Sequence, residues 1–311
     1  MSVTAAQGFR AAGVRAGLKA SGKPDLALVV NDGPLDTAAG VFTTNRVVAA
    51  PVVWSRRLLA GQEGGQPGHA RAVVLNSGSA NACTGAQGLR DTEATAARAA
   101  GLVGIEPDQV LVCSTGVIGE RIDMPVLLEG VDVAALALAD TPQAGTDAAT
   151  AIMTTDTVSK EDALTVGAGA QSWTIGGMIK GVGMLAPGLA TMLAVITTDA
   201  VLTPEQAQGA LASATMRTVN RINSDGCMST NDTVLLLASG ASGTTPSQDE
   251  LDEALTEVMS RLGRRLVADA EGATHDIAIT VSGAVSEEAA EAAARTVSSS
   301  NLLKCAVAGA D

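Results

Sequence analysis

Short apolar runs recur along the chain, at 26–30, 72–75, 110–113, 163–166, 192–196 and 233–238. Their length and aliphatic character predict buried β-strands. The stretch Ile277-Ala-Ile-Thr-Val281 alternates apolar and polar positions with period two, which predicts a half-buried strand. Helical patterns fall between these runs. The alanine-rich segment 91–101 suits a helix, and Thr203 followed by Pro204 reads as an N-cap and a first helical residue. Ser247-Gln-Asp-Glu250 has the form of a capping box; after it Leu251, Leu255, Val258, Leu262 and Leu266 fall on one helical face. Ser286 caps a further helix to about residue 297. The glycine- and glutamine-rich segment 59–71 predicts a surface loop. The fold class is therefore mixed, α/β or α+β, and the order of elements alone does not choose between them.

Composition narrows what such a fold can do. The chain has 311 residues, 46% of them hydrophobic, which is ample for a real core. Aromatic residues make up only 1% (Phe9, Phe42, Trp54 and Trp173, with no tyrosine), so alanine, valine, leucine and glycine must fill that core through close backbone contacts. A net charge of −13 and the lack of aromatic platforms disfavour nucleic-acid binding. Two histidines leave little room for a His-based metal site. Cys83, Cys113, Cys227 and Cys305 are scattered, with no CxxC, and read as buried, reduced thiols. The N-terminus has no apolar signal core and no apolar run approaches the ~20 residues of a spanning helix, so the expectation is a soluble, cytoplasmic protein without membrane contact.

The richest stretch runs from Gly176 to Asp199. Gly181-x-Gly183-x-x-Ala186 superficially fits a dinucleotide fingerprint, but Pro187 and Gly188 would interrupt the helix that fingerprint requires. A second regularity is a glycine-laden loop that runs into Ala190-Thr191 at the head of an apolar strand. A hydroxyl held where a strained loop enters a rigid strand is placed to attack its own preceding carbonyl. Cleavage there would free a Thr α-amine, giving a nucleophile that carries its own base. A lone Thr at a strand start is more often purely structural.

Lys180-Gly-Val-Gly-Met-Leu-Ala-Pro-Gly-Leu-Ala-Thr-Met-Leu193 resembles the self-cleavage motif of the bifunctional glutamate/ornithine N-acetyltransferases of arginine biosynthesis. Further segments match in family order: Asn76-Ser-Gly-Ser-Ala-Asn-Ala-Cys-Thr-Gly85, Cys113-Ser-Thr-Gly-Val-Ile-Gly119, Ala151-Ile-Met-Thr-Thr-Asp-Thr157, Ser229-Thr-Asn-Asp-Thr233 and Ala270-Glu-Gly-Ala-Thr274. Gly8-Phe-Arg-Ala-Ala-Gly13 and Gly40-Val-Phe-Thr-Thr-Asn45 fit as well, so the resemblance covers nearly the whole chain.

The resemblance implies layered sheets flanked by helices in an N-terminal-nucleophile-like fold. It implies that the Ala190–Thr191 bond cleaves itself, giving an α chain of residues 1–190 and a β chain from 191 to 311 that opens on the nucleophile Thr191. Thr115 and Gly116 match the oxyanion hole, one through a hydroxyl and one through a backbone N–H. Thr154, Lys180 and Glu271 match substrate-binding positions, as does Thr191; a lysine suits an α-carboxylate and a glutamate an ammonium group. Asn81 and Asp232 are expected in turn and supporting roles only. The implied reaction moves acetyl from N-acetylornithine to glutamate through acetyl-Thr191, without a metal or bound cofactor, although some members accept acetyl-CoA as donor. The family's usual assembly is (αβ)2.

The match departs after the segment Leu302-Leu-Lys-Cys-Ala-Val-Ala-Gly-Ala-Asp311, where the family continues into residues that close the amino-acid pocket. The second domain is therefore expected to be incomplete. Two alternatives to an active acetyltransferase follow: a shortened, catalytically impaired paralogue acting as a binding or subunit-like protein, and another N-terminal-Thr amidase or aminopeptidase.

Overall fold

A computed structural model of the chain describes residues 2–62, 64, 66–185 and 192–310. The expected cleavage site, Ala190 and Thr191, lies outside the described residues.

Four strands form a first sheet: β1 (Phe9–Val14), β2 (Leu26–Asn31), β4 (Ala72–Ser79) and β5 (Val110–Val117), in that spatial order. Five form a second, in the order β3 (Thr37–Phe42), β9 (Thr233–Ala238), β8 (Leu193–Thr198), β7 (Trp173–Lys180) and β6 (Lys160–Val166). Most neighbours are antiparallel. The pairs β4/β5 and β8/β9 are parallel, because helices α2 (Gly85–Val103) and α5 (Pro204–Arg217) carry the chain back between their strands. The remaining helices are α1 (Ala50–Leu59), α3 (Met124–Leu136), α4 (Pro142–Ala151), α6 (Gln248–Ala268), α7 (Glu287–Ser298) and α8 (Asn301–Gly309).

Strand periodicity divides the second sheet between two cores. Leu193, Val195, Leu235 and Leu237 join the first sheet's residues and helices α2 to α4 in one hydrophobic core. Their alternates Ala194, Ile196, Val234, Leu236 and Ala238 join α5 and α6 in the other. The result is the layered arrangement the family resemblance implied, with sheets back to back and helices outside. Alanine and glycine allow close approach where aromatic bulk is scarce: a Cβ added to Gly13 of β1 would stand 1.9 Å from the Asp147 carbonyl oxygen of α4.

Several helix starts follow the sequence closely. The Thr203 hydroxyl accepts from Gln206 N–H, and Gln206 Oε1 accepts from Thr203 N–H, with Pro204 at the first position. Ser247 and Glu250 close the second capping box, and the five predicted apolar positions of α6 are all buried.

One expectation fails. Residues 277–281 form no strand; they lie in a stretch of exposed or half-exposed backbone without regular pairing. Period-two alternation becomes a strand only where a neighbouring strand takes the alternate N–H and C=O groups, and among the described residues none does so here. Helices α7 and α8 beyond it bury no residue fully and are tied back by polar contacts such as Lys304 Nζ to Ser224 O at 2.8 Å.

Candidate active site

The antiparallel register of β7 and β8 sets Lys180 opposite Leu193, so residues 181–192 form the connection at one end of the second sheet. The parallel register of β8 and β9 sets Leu193 beside Thr233, which brings the segment before β9 to the same end. Here the structure gathers three of the residues singled out from sequence. Lys180 Nζ donates to Thr154 Oγ1 at 2.7 Å and to Thr115 Oγ1 at 3.4 Å. Lys180 and Thr115 are buried, and Thr154 is half-buried.

Thr115 and Gly116 lie within β5, which continues to Val117 rather than ending at residue 113 as the apolar run suggested. The extension is irregular: Thr115 pairs with both Ser77 and Ser79 of β4 around a bulge. Gly116 has φ +132°, and a Cβ on it would stand 2.3 Å from the Gly78 carbonyl carbon. Only glycine fits that backbone without strain. Bulges of this kind re-aim backbone groups, as an oxyanion hole requires.

A buried ion cluster that sequence reasoning missed supports Lys180. Asp156 accepts from Gly181 N–H at 2.7 Å, from Thr154 N–H at 3.0 Å and from Lys160 Nζ at 2.7 Å, and lies 4.0 Å from Lys180 Nζ. Lys160 also reaches Asp269 at 2.6 Å, and Asp269 accepts from the Thr157 hydroxyl. The only sequence signal was indirect: three of the chain's five lysines, Lys19, Lys160 and Lys180, converge here. Burial and the neighbouring Lys160 and Lys19 lower Lys180 to about 8, against the attraction of Asp156 and Asp232. Burial pushes the Asp156 carboxyl up, but Lys180 and Lys160 outweigh it and hold that carboxyl below its ordinary value. Replacing Lys160 with methionine leaves Asp156 and Asp269 without their shared cation. It should cost about 3–5 kcal/mol, read as a lowered denaturant midpoint with an unchanged m-value.

Glu271 is exposed and is fixed by its backbone: its N–H donates to Val182 O at 2.8 Å, two residues beyond Lys180. It lines a cleft of about 320 Å³ with Thr155, Thr157, Val182 and Asp269. A larger cleft of about 610 Å³, beside Phe42, Arg56 and Gln208, contains none of the expected site residues.

The segment before β9 does more than turn the chain. Asn231 Nδ2 donates to Ala80 O at 2.6 Å and to Ser114 O at 2.8 Å, tying β9 to the peptide that carries the Thr115 N–H. Asp232 Oδ1 accepts from Met192 N–H at 3.1 Å. Asn81 does take the turn role expected of it, with φ +48° and its amide on Gly88 O and Thr92 Oγ1. Among the described residues no three His, Cys, Asp or Glu side chains are grouped to hold a metal ion, and no helix is long and apolar enough to cross a membrane.

The model of the ArgJ family matches residues 10–311. The chain belongs to the ArgJ family. The arginine biosynthesis bifunctional protein ArgJ of Bifidobacterium longum is 59% identical over 312 residues, covering all of this chain and 78% of that one. The ornithine acetyltransferase of Mycobacterium tuberculosis, solved in complex with ornithine, superposes with a TM-score of 0.56 at 49% identity, over 62% of this chain and 96% of that chain. An L-aminopeptidase D-Ala-esterase/amidase of Ochrobactrum anthropi, described as a new variant among the Ntn hydrolase fold, shares the fold at 13% identity with a TM-score of 0.53 over 88% of each chain. Family membership and fold thus agree with the resemblance read from the motifs.

Proposed function

We propose that this chain is a self-processing acyltransferase of arginine biosynthesis that moves the acetyl group of N-acetyl-L-ornithine to L-glutamate through an acetyl-Thr191 intermediate. The observation that carries this reading is the buried Lys180 ammonium, bonded to Thr115 and Thr154 at the end of the strand that leads to the Ala190–Thr191 bond. A buried cation suited to a carboxylate, next to a hydroxyl suited to an oxyanion, supports this reading.

In self-cleavage, Thr191 Oγ attacks the Ala190 carbonyl carbon, the peptide C–N bond breaks and an ester forms. Water then hydrolyses the ester to an α chain ending at Ala190 and a β chain beginning at Thr191. In acetyl transfer the freed α-amine accepts the Thr191 hydroxyl proton, Oγ takes the acetyl group, and ornithine leaves. Glutamate's amine attacks the acetyl ester and restores the hydroxyl. The oxyanion of each tetrahedral intermediate is met by the Thr115 hydroxyl and the Gly116 N–H. Because Thr115 Oγ1 accepts from Lys180, its own hydrogen is left to donate. Lys180 and Thr154 hold the substrate carboxylate, and Glu271 meets its ammonium group.

Neither a metal nor a bound cofactor enters this scheme, and acetyl-CoA is an alternative donor to the same Thr191. We assign the mature protein an (αβ)2 assembly in the cytoplasm, where the four free cysteines stay reduced; Cys113 is buried as expected, whereas Cys83, Cys227 and Cys305 are exposed. Intact mass tests the processing, with two chains expected that meet at Ala190/Thr191. Ornithine release from N-acetylornithine on adding glutamate tests the transfer. Correctly cut protein that releases no ornithine would favour a binding protein or an amidase instead.

The lowered Lys180 supplies a pH test. Lys180 is charged below about 8 and neutral above it, so carboxylate binding weakens as pH rises through 8. The kcat/KM for N-acetylornithine should fall over that range, whereas Lys180→Arg, which stays charged, removes the fall. Equal profiles for the two proteins would remove Lys180 from carboxylate recognition.

A further inference from the structure

The loop between β1 and β2 reaches the candidate site through Lys19. Its Nζ donates to three carbonyl oxygens: Pro24 at 2.7 Å, Met153 at 2.6 Å and Ala151 at 3.5 Å. Three acceptors call for three hydrogens, which the ammonium has and the neutral amine does not. Asp25, fully buried, takes the N–H groups of Ala16, Gly17 and Lys19 and so fixes the backbone of the loop. Met153 O and Thr154 N belong to one peptide group, and the two ends of that group meet opposite charges. Lys19 holds the oxygen, while Asp156 Oδ2 accepts the Thr154 N–H at 3.0 Å. The Thr154 hydroxyl that follows accepts from Lys180 Nζ at 2.7 Å. Ala151 O, at the end of α4, is shared with Ser77 Oγ, and Ser77 stands opposite Thr115 in the β4/β5 register.

We propose that Lys19 is a positioning residue of the substrate-carboxylate site, holding the Met153–Thr154 peptide so that the Thr154 hydroxyl stays aligned with Lys180. The inference rests on the reading above, in which Lys180 and Thr154 hold the substrate carboxylate. A planar peptide gripped at both its oxygen and its nitrogen does not rotate, so the direction of the Thr154 side chain is set before substrate arrives. Loss of the Lys19 ammonium frees the oxygen end, and the hydroxyl can then swing away from Lys180.

Lys19 also acts on Lys180 through its charge. The charged groups that face Lys180 come from four places: Asp156 before β6, Lys160 at the start of β6, Lys19 in the β1–β2 loop and Asp232 before β9. The two lysines favour the neutral Lys180 amine and the two aspartates favour its ammonium. Around Lys19 itself stand Asp25, Asp156 and Lys23; burial outweighs the two aspartates and holds Lys19 below its ordinary value. Removing the Lys19 charge therefore leaves Lys180 protonated to higher pH. The two effects are separable: carboxylate binding weakens as Thr154 loosens, while the pH at which Lys180 discharges goes up. A residue that only supported the fold would move neither.

The test compares the purified wild-type protein with Lys19→Met, by ornithine release and by NMR titration of labelled lysine side chains, with Lys180→Arg identifying the Lys180 signal. Lys19→Met should raise KM for N-acetylornithine roughly tenfold at pH 7, with kcat changed much less. It should also move the Lys180 midpoint upward by roughly half a pH unit. Lys19→Arg keeps the charge and the donors, and should bring back the midpoint and most of the KM. Added to Thr154→Val, Lys19→Met should raise KM little further, because the two act through one hydroxyl. Thermal melts check folding; if Lys19→Met does not fold, Lys19→Gln takes its place, with the same midpoint shift and a smaller rise in KM expected. Two results overturn the inference while the acetyl-transfer reading stands: a folded, uncharged Lys19 variant with the wild-type KM or the wild-type Lys180 midpoint, or a KM rise that adds in full to that of Thr154→Val. Wild-type protein that releases no ornithine overturns the acetyl-transfer reading and this inference with it.

Discussion

Replacing Thr191 with alanine is expected to leave one uncut chain of 311 residues and to lower ornithine release about 10⁴-fold or more. Both effects come from one atom. Without Oγ nothing adds to the Ala190 carbonyl, so no ester forms and the α-amine is never released; without the ester there is no acetyl carrier. Binding should survive, since Lys180, Thr154 and Glu271 are supplied by other segments of the chain. Ornithine binding by calorimetry on the variant separates lost chemistry from lost binding. If the variant is still cut between residues 190 and 191, an external protease makes the cut and Thr191 is not the agent.

Gly116→Ala should cost about 2–5 kcal/mol of stability and a further ~10²–10³-fold in turnover of the protein that remains folded. A Cβ there would meet the Gly78 backbone at 2.3 Å, and φ +132° is strained for any L side chain. Two backbones in register cannot yield as a flexible side chain could, so β5 must shift against β4. That shift carries the Thr115 hydroxyl and the Gly116 N–H away from their positions. Urea midpoints measure the first cost, and kcat for acetyl transfer the second. A stable variant with normal kcat would remove Gly116 from the oxyanion hole.

How far the fold could be read from sequence depended on which force sets each element. Strand Thr233–Ala238 was read to the residue because a short, unbroken aliphatic run has few destinations other than a buried strand. Helix α6 was legible because its capping box and apolar stripe agree. Strands β1, β3 and β7 were missed: FRAAGV, TAAGVF and WTIGGMIK carry alanines and glycines where alternation would show. Those small residues are present for close packing between layers, a tertiary demand that local propensity does not record. Conversely, Ile277–Val281 has a strand's alternation and no partner strand among the described residues.

The site divides in a similar way. Thr115, Thr154 and Lys180 sit in motifs far apart in the chain, and the structure brings them within hydrogen-bonding distance. The Asp156–Lys160–Asp269 cluster was invisible because its members join through side chains from separate elements. Asp232 was read in a supporting role, and Asn231 only as part of the Ser229–Thr233 motif. Nothing in one dimension shows that Asn231 spans to the other sheet.

The strand order of the second sheet has a consequence for the life of the cut protein. Strands β3, β6 and β7 lie before the Ala190–Thr191 bond, whereas β8 and β9 lie after it, interleaved between them. Cutting one peptide bond therefore frees neither piece, since separation means stripping two ladders and opening both hydrophobic cores. What cleavage changes is molecularity. Before the cut, folding is a first-order event within one chain; afterwards, reassembly from the unfolded state is second order and slows with dilution. A chain cut at that bond after folding is therefore expected to persist by the rate at which it unfolds, not by refolding.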